Sequence, residues 1–265
     1  MSGGQPQPRR LVFADPGEAA ELAALLERLL RWERNAVVRL RARRPHQEEG
    51  VLGLFARPAR FEVLAVRTAR LVAPEGTGGS AAGPVGPVEL DTTVSAGELL
   101  EGVAEKDASV SVPAAVTGPP WAGLLPPLGG WRPVGVLPYE SVRAAADSVV
   151  AEFRRRSEAL PPGERTREAL DALAEEIWSR PLGGGTGLPL RAVHAARSLG
   201  MLRPLGPAPA AGPQGPPPPG RPGGAGPEAA VLAAGTWLRL RTPYGSVAVR
   251  RGGGTGLGVI PVRGG

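Results

Sequence analysis

The chain of 265 residues contains no cysteine. That excludes disulfides, thiolate metal sites, a cysteine nucleophile and redox motifs. Histidine is nearly missing as well. His46 and His194 are the two present, too far apart for the usual metal-binding spacings, and no metal or cofactor is expected. Lysine and asparagine occur once each, at Lys106 and Asn35. No stretch approaches the ~20 uninterrupted apolar residues of a membrane span. The opening Met-Ser-Gly-Gly-Gln-Pro-Gln-Pro-Arg-Arg has no apolar run behind it, so a secretory signal is not expected. These absences predict a soluble cytoplasmic protein that makes no use of a membrane.

What is abundant is glycine, with 39 residues, and proline, with 31. Together they make about a quarter of the chain, the level at which composition alone suggests low complexity. Against that, 42% of residues are apolar and they fall in periodic runs. The expected object is therefore one or two compact domains with Gly/Pro-rich segments between them.

Residues 1–10 read as a disordered leader. Asp15-Pro16-Gly17-Glu18 then supplies an acidic N-cap, proline at the first helical position and a carboxylate at the third, opening a helix over 16–32 with Leu22, Leu25, Leu26, Leu29 and Leu30 on one stripe. Alternation predicts strands at 38–43, 51–55 and 61–71, the last two joined by a turn at 56–59. A loop is expected over 73–87. Ser95-Ala96-Gly97-Glu98 is a second capping pattern, starting a short helix over 98–104, and 109–112 and 134–137 read as strands. The fold class is α+β: an antiparallel sheet with flanking helices in a domain over 11–137, then a helical domain over 138–265.

In the second half, Val142, Ala145, Ala146, Val149, Val150 and Phe153 form one stripe of a helix over 139–160. Further helices are predicted at 164–179 and 189–199. Residues 204–227 hold 17 Gly or Pro in 24 positions, so a disordered insertion is expected there. A hairpin follows, with strands 237–241 and 247–250 around Thr242-Pro243-Tyr244-Gly245. Pairing across that turn puts Leu238, Leu240, Val247 and Val249 on one face and Trp237, Arg239, Arg241, Ala248 and Arg250 on the other. The tail 252–265 reads as frayed.

Charge is distributed unevenly. Residues 1–137 hold as many acidic as basic side chains, and 138–179 are mildly acidic. Residues 180–265 hold ten arginines and one acid, Glu228. Such a basic segment points to a polyanion partner, DNA first among them, because each neutralised phosphate releases counterions. Three helices followed by a hairpin is also the order of a winged helix-turn-helix module. In its third helix Arg191, His194 and Arg197 fall at i, i+3 and i+6, the outer stripe from which a recognition helix contacts bases and phosphates, and Arg239, Arg241 and Arg250 would form the wing.

Two alternatives stay open. Trp121 and Trp131, in irregular proline-rich sequence, suit a protein partner in a non-catalytic interaction or scaffold role; they equally suit packing over the sheet. Trp32 and Trp178 are expected as core anchors. An enzyme whose site forms only on folding would draw on Asp91, Glu175 or Glu176, with Glu48 and Glu49 as further carboxylates. No histidine neighbours them in sequence, and Ser80, Ser95 and Ser141 lie in no nucleophile-elbow context, so no catalytic residue is assigned. The hexapeptide Gly-Gly-Gly-Thr-Gly-Leu occurs at 183–188 and again at 252–257. It reads as a flexible joint, or as an anion-binding nest where it precedes a helix.

The arginine-for-lysine bias, Leu26-Glu27-Arg28-Leu29-Leu30-Arg31-Trp32, Leu90-Asp91-Thr92-Thr93-Val94-Ser95 and Arg241-Thr242-Pro243-Tyr244-Gly245 together resemble an uncharacterised protein family of high-GC actinobacteria. The resemblance is one of style over the whole length. It implies a cytoplasmic bacterial protein and no particular activity, cofactor or site.

Overall fold

The computed structural model describes residues 9–43, 49–72, 90–204 and 227–251. The first half carries β1 (Arg9–Phe13), α1 (Pro16–Trp32), β2 (Val37–Arg43), β3 (Glu49–Ala56), β4 (Leu64–Val72), β5 (Leu90–Ser95), α2 (Ala96–Glu101), β6 (Val103–Ala104) and β7 (Ser109–Val112). The second carries β8 (Arg132–Pro138), α3 (Tyr139–Ala159), α4 (Arg167–Ser179), α5 (Leu190–Ser198), β9 (Glu228–Ala234), β10 (Trp237–Thr242) and β11 (Gly245–Arg250).

All strands among the described residues pair antiparallel in one sheet, whose main path runs β5-β2-β3-β4-β11-β10-β9-β8. The protein is thus α+β with an antiparallel sheet. β4 is the junction. Along one side it pairs with the whole of β3, through Ala65 to Val72. On the other it meets β11 through Leu64–Val66 and β1 through Leu71–Val72. The three helices precede the hairpin in the expected order. The hairpin, however, is an interior part of the sheet between β9 and β4, not a wing projecting from it.

Local chemistry accounts for the helix starts. The Asp15 carboxylate accepts from Gly17 N at 2.6 Å, with Pro16 at the first helical position. Ser95 Oγ accepts from Glu98 N and Thr166 Oγ1 from Ala169 N. No side chain caps α3. Instead Tyr139 N donates to the Pro227 carbonyl at 3.0 Å, while its buried hydroxyl donates to the Arg203 carbonyl at 2.9 Å. One residue thereby holds both described flanks of the segment 205–226. Burial pushes the Tyr139 phenol up to about 12.

One face of the sheet, the inner face, is covered by helices. Leu22, Leu26 and Leu29 of α1, Leu99 of α2, Val142 of α3 and Val193 and Ala196 of α5 share a single core with Leu238, Leu240, Val247 and Val249. That is the apolar side of the hairpin anticipated from its alternation. The opposite, outer face is crossed by the segment 113–131. It enters along β5, where Val116 N donates to the Thr93 carbonyl, and seats Trp121 and Leu125 on Phe55, Val66 and Ala248.

The structure departs from the sequence reading at several points. Arg9 and Arg10, placed in the leader, begin β1. Phe61 does not start a strand, because Arg60 and Glu62 on either side of it take left-handed φ of 73° and 51°. The short helix ends at Glu101, and Val103–Ala104 form a strand. Trp32 is no core anchor: it is 47% exposed and edge-on to Phe61. The remainder of the leader, the loop at 73–87, insertion residues 205–226, the tail and the second glycine hexapeptide lie outside the described residues, as do His46, Glu48 and Ser80.

An ion-pair cluster sits where the sheet divides between β11 and β1. Arg67 of β4 donates to the Tyr244 carbonyl in the hairpin turn at 2.8 Å and faces Glu18 and Glu21 of α1. Glu21 is also held in a bidentate pair by Arg203. Burial alone would raise Glu21, but the hydrogen bond and charge of Arg203, with Arg67 and Arg28, hold its carboxyl below the usual range. A depressed carboxyl adds stability that is complete above its unfolded value and lost as pH falls through the folded one. Glu21→Gln is therefore expected to cost about 1–2 kcal/mol at pH 7. Urea unfolding should show that difference closing below about pH 4.

Candidate functional site

A cleft of about 1000 Å³ opens at the end of the sheet where β4 begins, β10 begins and β11 ends. Leu64, Trp237, Leu238, Ala248 and Val249 form its base. Its walls come from four places: residues 57–63 before β4, Trp121 and Leu124 of the outer-face segment, the glycine loop before α5, and the last turns of α4. Arg57, Arg191, Arg250 and Arg251 point charge at this space, against the carboxylates of Glu62 and Glu175.

The glycine loop is an ordered wall rather than the flexible joint its composition suggested. Leu182 N donates to the Leu188 carbonyl at 2.6 Å and Leu190 N to the Arg180 carbonyl at 2.8 Å, closing the loop at its neck. Gly184, Gly185 and Gly187 take φ of 81°, 68° and 67°, a conformation glycine adopts without steric cost. Thr186 between them is buried against Gly135 of β8, where a Cβ would come within 2.8 Å of its methyl carbon.

The arginines of α5 are engaged inside the protein. Arg191 bridges Glu62 and Glu175, joining the loop before β4 to α4. Arg197 pairs with Asp147 of α3 at 2.9 Å. His194 lies between them in sequence but turns into an aromatic layer, 5.2 Å from the Phe61 ring and 4.5 Å from Trp178, which stacks in turn on Phe153. Burial lowers the His194 pKa, so the ring is neutral at physiological pH.

The hairpin arginines differ. Arg239 is half-buried on the outer face, its Nε shielded from solvent with no hydrogen-bond partner. Trp131 stands over it, 5.6 Å from guanidinium carbon to ring centroid, and its indole N–H donates to the Pro127 carbonyl. Burial, and then the neighbouring Arg241, lower the Arg239 pKa. Arg241 and Arg250 are exposed, and Arg250 lies 5.9 Å from the Trp237 ring. None of the three has a carboxylate partner among the described residues. On β2 of the same face, Arg39 and Arg41 share Asp91.

The fold thus brings Arg191, Arg250 and Trp121 to one cleft and sets Arg239, Arg241 and Trp131 on the adjoining sheet face. It directs His194 and Arg197 elsewhere. Arg57 and Arg251 carry no signal in the sequence, whereas the glycine hexapeptide at 183–188 is visible there and its place in the cleft wall is not. Arg57 lies in a turn with no pattern, and Arg251 follows the last residue of the alternation. The carboxylates considered for catalysis are occupied: Asp91 by two arginines, Glu175 by Arg191 and Glu176 by Arg156. No helix among the described residues is long and apolar enough to cross a membrane.

Residues 6–123 match a family model described as Domain of unknown function (DUF8010), and residues 126–254 match another, Domain of unknown function (DUF8185). Both halves of the chain therefore match uncharacterised families. No curated protein and no solved structure matches the chain. The pairing of β4 with β11 carries the sheet across the two matched regions.

Proposed function

We propose that the protein binds a polyanion, duplex DNA being the first candidate, through the outer face of its C-terminal hairpin. One observation carries the reading. Arg239, Arg241 and Arg250 share a sheet face without a carboxylate partner among the described residues, while Arg191 and Arg197 are ion-paired within the fold. A partly desolvated guanidinium beside a second one opposes folding unless an anion arrives to offset it. Phosphates do so and release counterions in the process. The contact surface on this reading is the hairpin strand face, with α5 serving to hold the sheet.

The test is a gel shift of the full chain on duplex DNA at ~50 mM salt. Arg239→Ala with Arg241→Ala is expected to weaken binding at least tenfold, and Arg197→Gln to change it less than twofold. Equal losses from both variants would return the contact to the helix.

A second reading, a non-catalytic protein-interaction role, draws on a different feature. Leu124, Leu128, Val134 and Val136 are large apolar side chains exposed by 41–56%, two of them on the edge strand β8. A stoichiometric partner lost on Val136→Lys would favour it over the polyanion.

A further inference from the structure

We infer that the cleft at the end of the sheet is a separate small-ligand site, and that it takes a nucleoside phosphate: a flat aromatic ring with a multiply charged anion attached. This does not rest on the outer-face reading. It concerns a concave site that shares Arg250 with that face but is otherwise built from different residues, and it can hold where duplex binding fails.

Size is the first argument. A cleft of about 1000 Å³ lies at the upper end of the range for small-molecule sites. Chemistry is the second. Trp121 and Trp237 both line it and both are partly exposed, with Leu64, Ala248 and Val249 as apolar floor. Indole faces beside an apolar floor suit a planar ring, and stacking on them is tolerant of which base is offered. The charged wall requires something else of the same ligand. Arg57, Arg250 and Arg251 have no carboxylate partner among the described residues, and Arg191 lines the same space, held by Glu62 and Glu175. Several guanidinium forks around one space match the oxygens of a phosphate group better than a single carboxylate.

Backbone strain is the third argument, and it is independent of composition. Arg60 and Glu62, two non-glycine residues in the loop that walls the cleft, both take left-handed φ. Such conformations cost free energy and concentrate at ligand clamps. Here the strain sets Glu62 against Arg191, which makes Glu62 a competitor for the guanidinium that an incoming phosphate would also contact.

Calorimetric titration of the full chain with the four nucleoside monophosphates, ribose 5-phosphate, inorganic phosphate and adenosine separates these contributions. At least one monophosphate is expected to bind saturably at one equivalent. Ribose 5-phosphate, inorganic phosphate and adenosine should each be at least tenfold weaker. Arg57→Gln with Arg251→Gln should weaken the monophosphate at least tenfold, and Trp237→Leu should weaken it while sparing inorganic phosphate. Glu62→Gln should tighten binding two- to fivefold by releasing Arg191, an improvement that a purely structural role for Glu62 would not give. Thermal melts of each variant establish that it is folded. No saturable binding of any monophosphate by the folded wild-type protein overturns the proposal. So does inorganic phosphate binding as tightly as the nucleotide, or indifference to loss of Arg57 and Arg251. Duplex binding by the same preparation reports on the outer face separately.

Discussion

Replacing Arg239 with leucine is expected to raise the melting temperature and to weaken polyanion binding in the same protein. Arg239 stands on β10 in register with Leu232 of β9 and Ala248 of β11, so its stem already lies among apolar neighbours. Its Nε is buried without a partner, Arg241 is the next residue on that face, and the Trp131 ring at 5.6 Å is its principal compensation. A cation–π contact at that distance offsets about 0.5–1 kcal/mol, less than the desolvation of a guanidinium. Leucine removes the charge and keeps the apolar contact. The expected gain is about 1–2 kcal/mol, or roughly 2–6 °C in Tm for a chain of this size. Affinity for duplex DNA should fall about tenfold, the usual consequence of removing one charge-assisted contact. Circular dichroism melts and fluorescence anisotropy check the two together. If Tm and affinity fall in parallel, Arg239 is a structural residue and the argument from its unpaired charge fails.

Val247→Asp is expected to abolish folding of both halves at once. Val247 is fully buried on the inner face of β11, paired with Leu240 of β10 on one side and Ala65 of β4 on the other. A carboxylate there would be desolvated in the core, and Arg67 on the same face of β4 is already held by Glu18, Glu21 and the Tyr244 carbonyl, so the cost exceeds about 4 kcal/mol out of the 5–15 typical of a whole domain. The strand matters beyond its own contacts, because β11 connects β4 of the first matched region to β10 of the second. Far-ultraviolet dichroism should therefore lose sheet and helix signals in one step. A variant in which the first half melted normally while the hairpin signal alone was lost would show that the seam is not what unites them.

Legibility in the sequence followed the reach of the physics. Helix α1 is legible from its cap and its 3.6-residue stripe, and the uncapped α3 and α5 from their stripes, because these signals are local; the hairpin is legible because a two-residue alternation assigns faces once the turn is placed. β9 escaped notice. Its Glu-Ala-Ala-Val-Leu-Ala-Ala is apolar on both sides, as suits an interior strand with covered faces, and such a run has no period to detect. β1 is short and begins within a glycine- and proline-rich leader. The junction at β4, which makes the hairpin interior, depends on pairing between residues about 180 positions apart in sequence. The same limit governs the site. That hairpin arginines share a face was visible from their spacing. That Arg191 is held by Glu62, which lies 129 positions away, was not, nor that His194 lies among Phe61 and Trp178. The basic segment is visible in the sequence, but only folding separates arginines that are neutralised from those without a carboxylate partner among the described residues.

The most direct measurement is the salt dependence of duplex DNA affinity, wild type against Arg239→Gln/Arg241→Gln/Arg250→Gln, with the full chain in both cases. Each phosphate contact adds about 0.9 to the slope of log affinity against log salt. Wild type is expected to bind at ~50 mM salt, and the triple variant to have a slope shallower by about 2–3 units. Wild-type protein that fails to bind at that salt, or a variant with an unchanged slope, would contradict the polyanion reading.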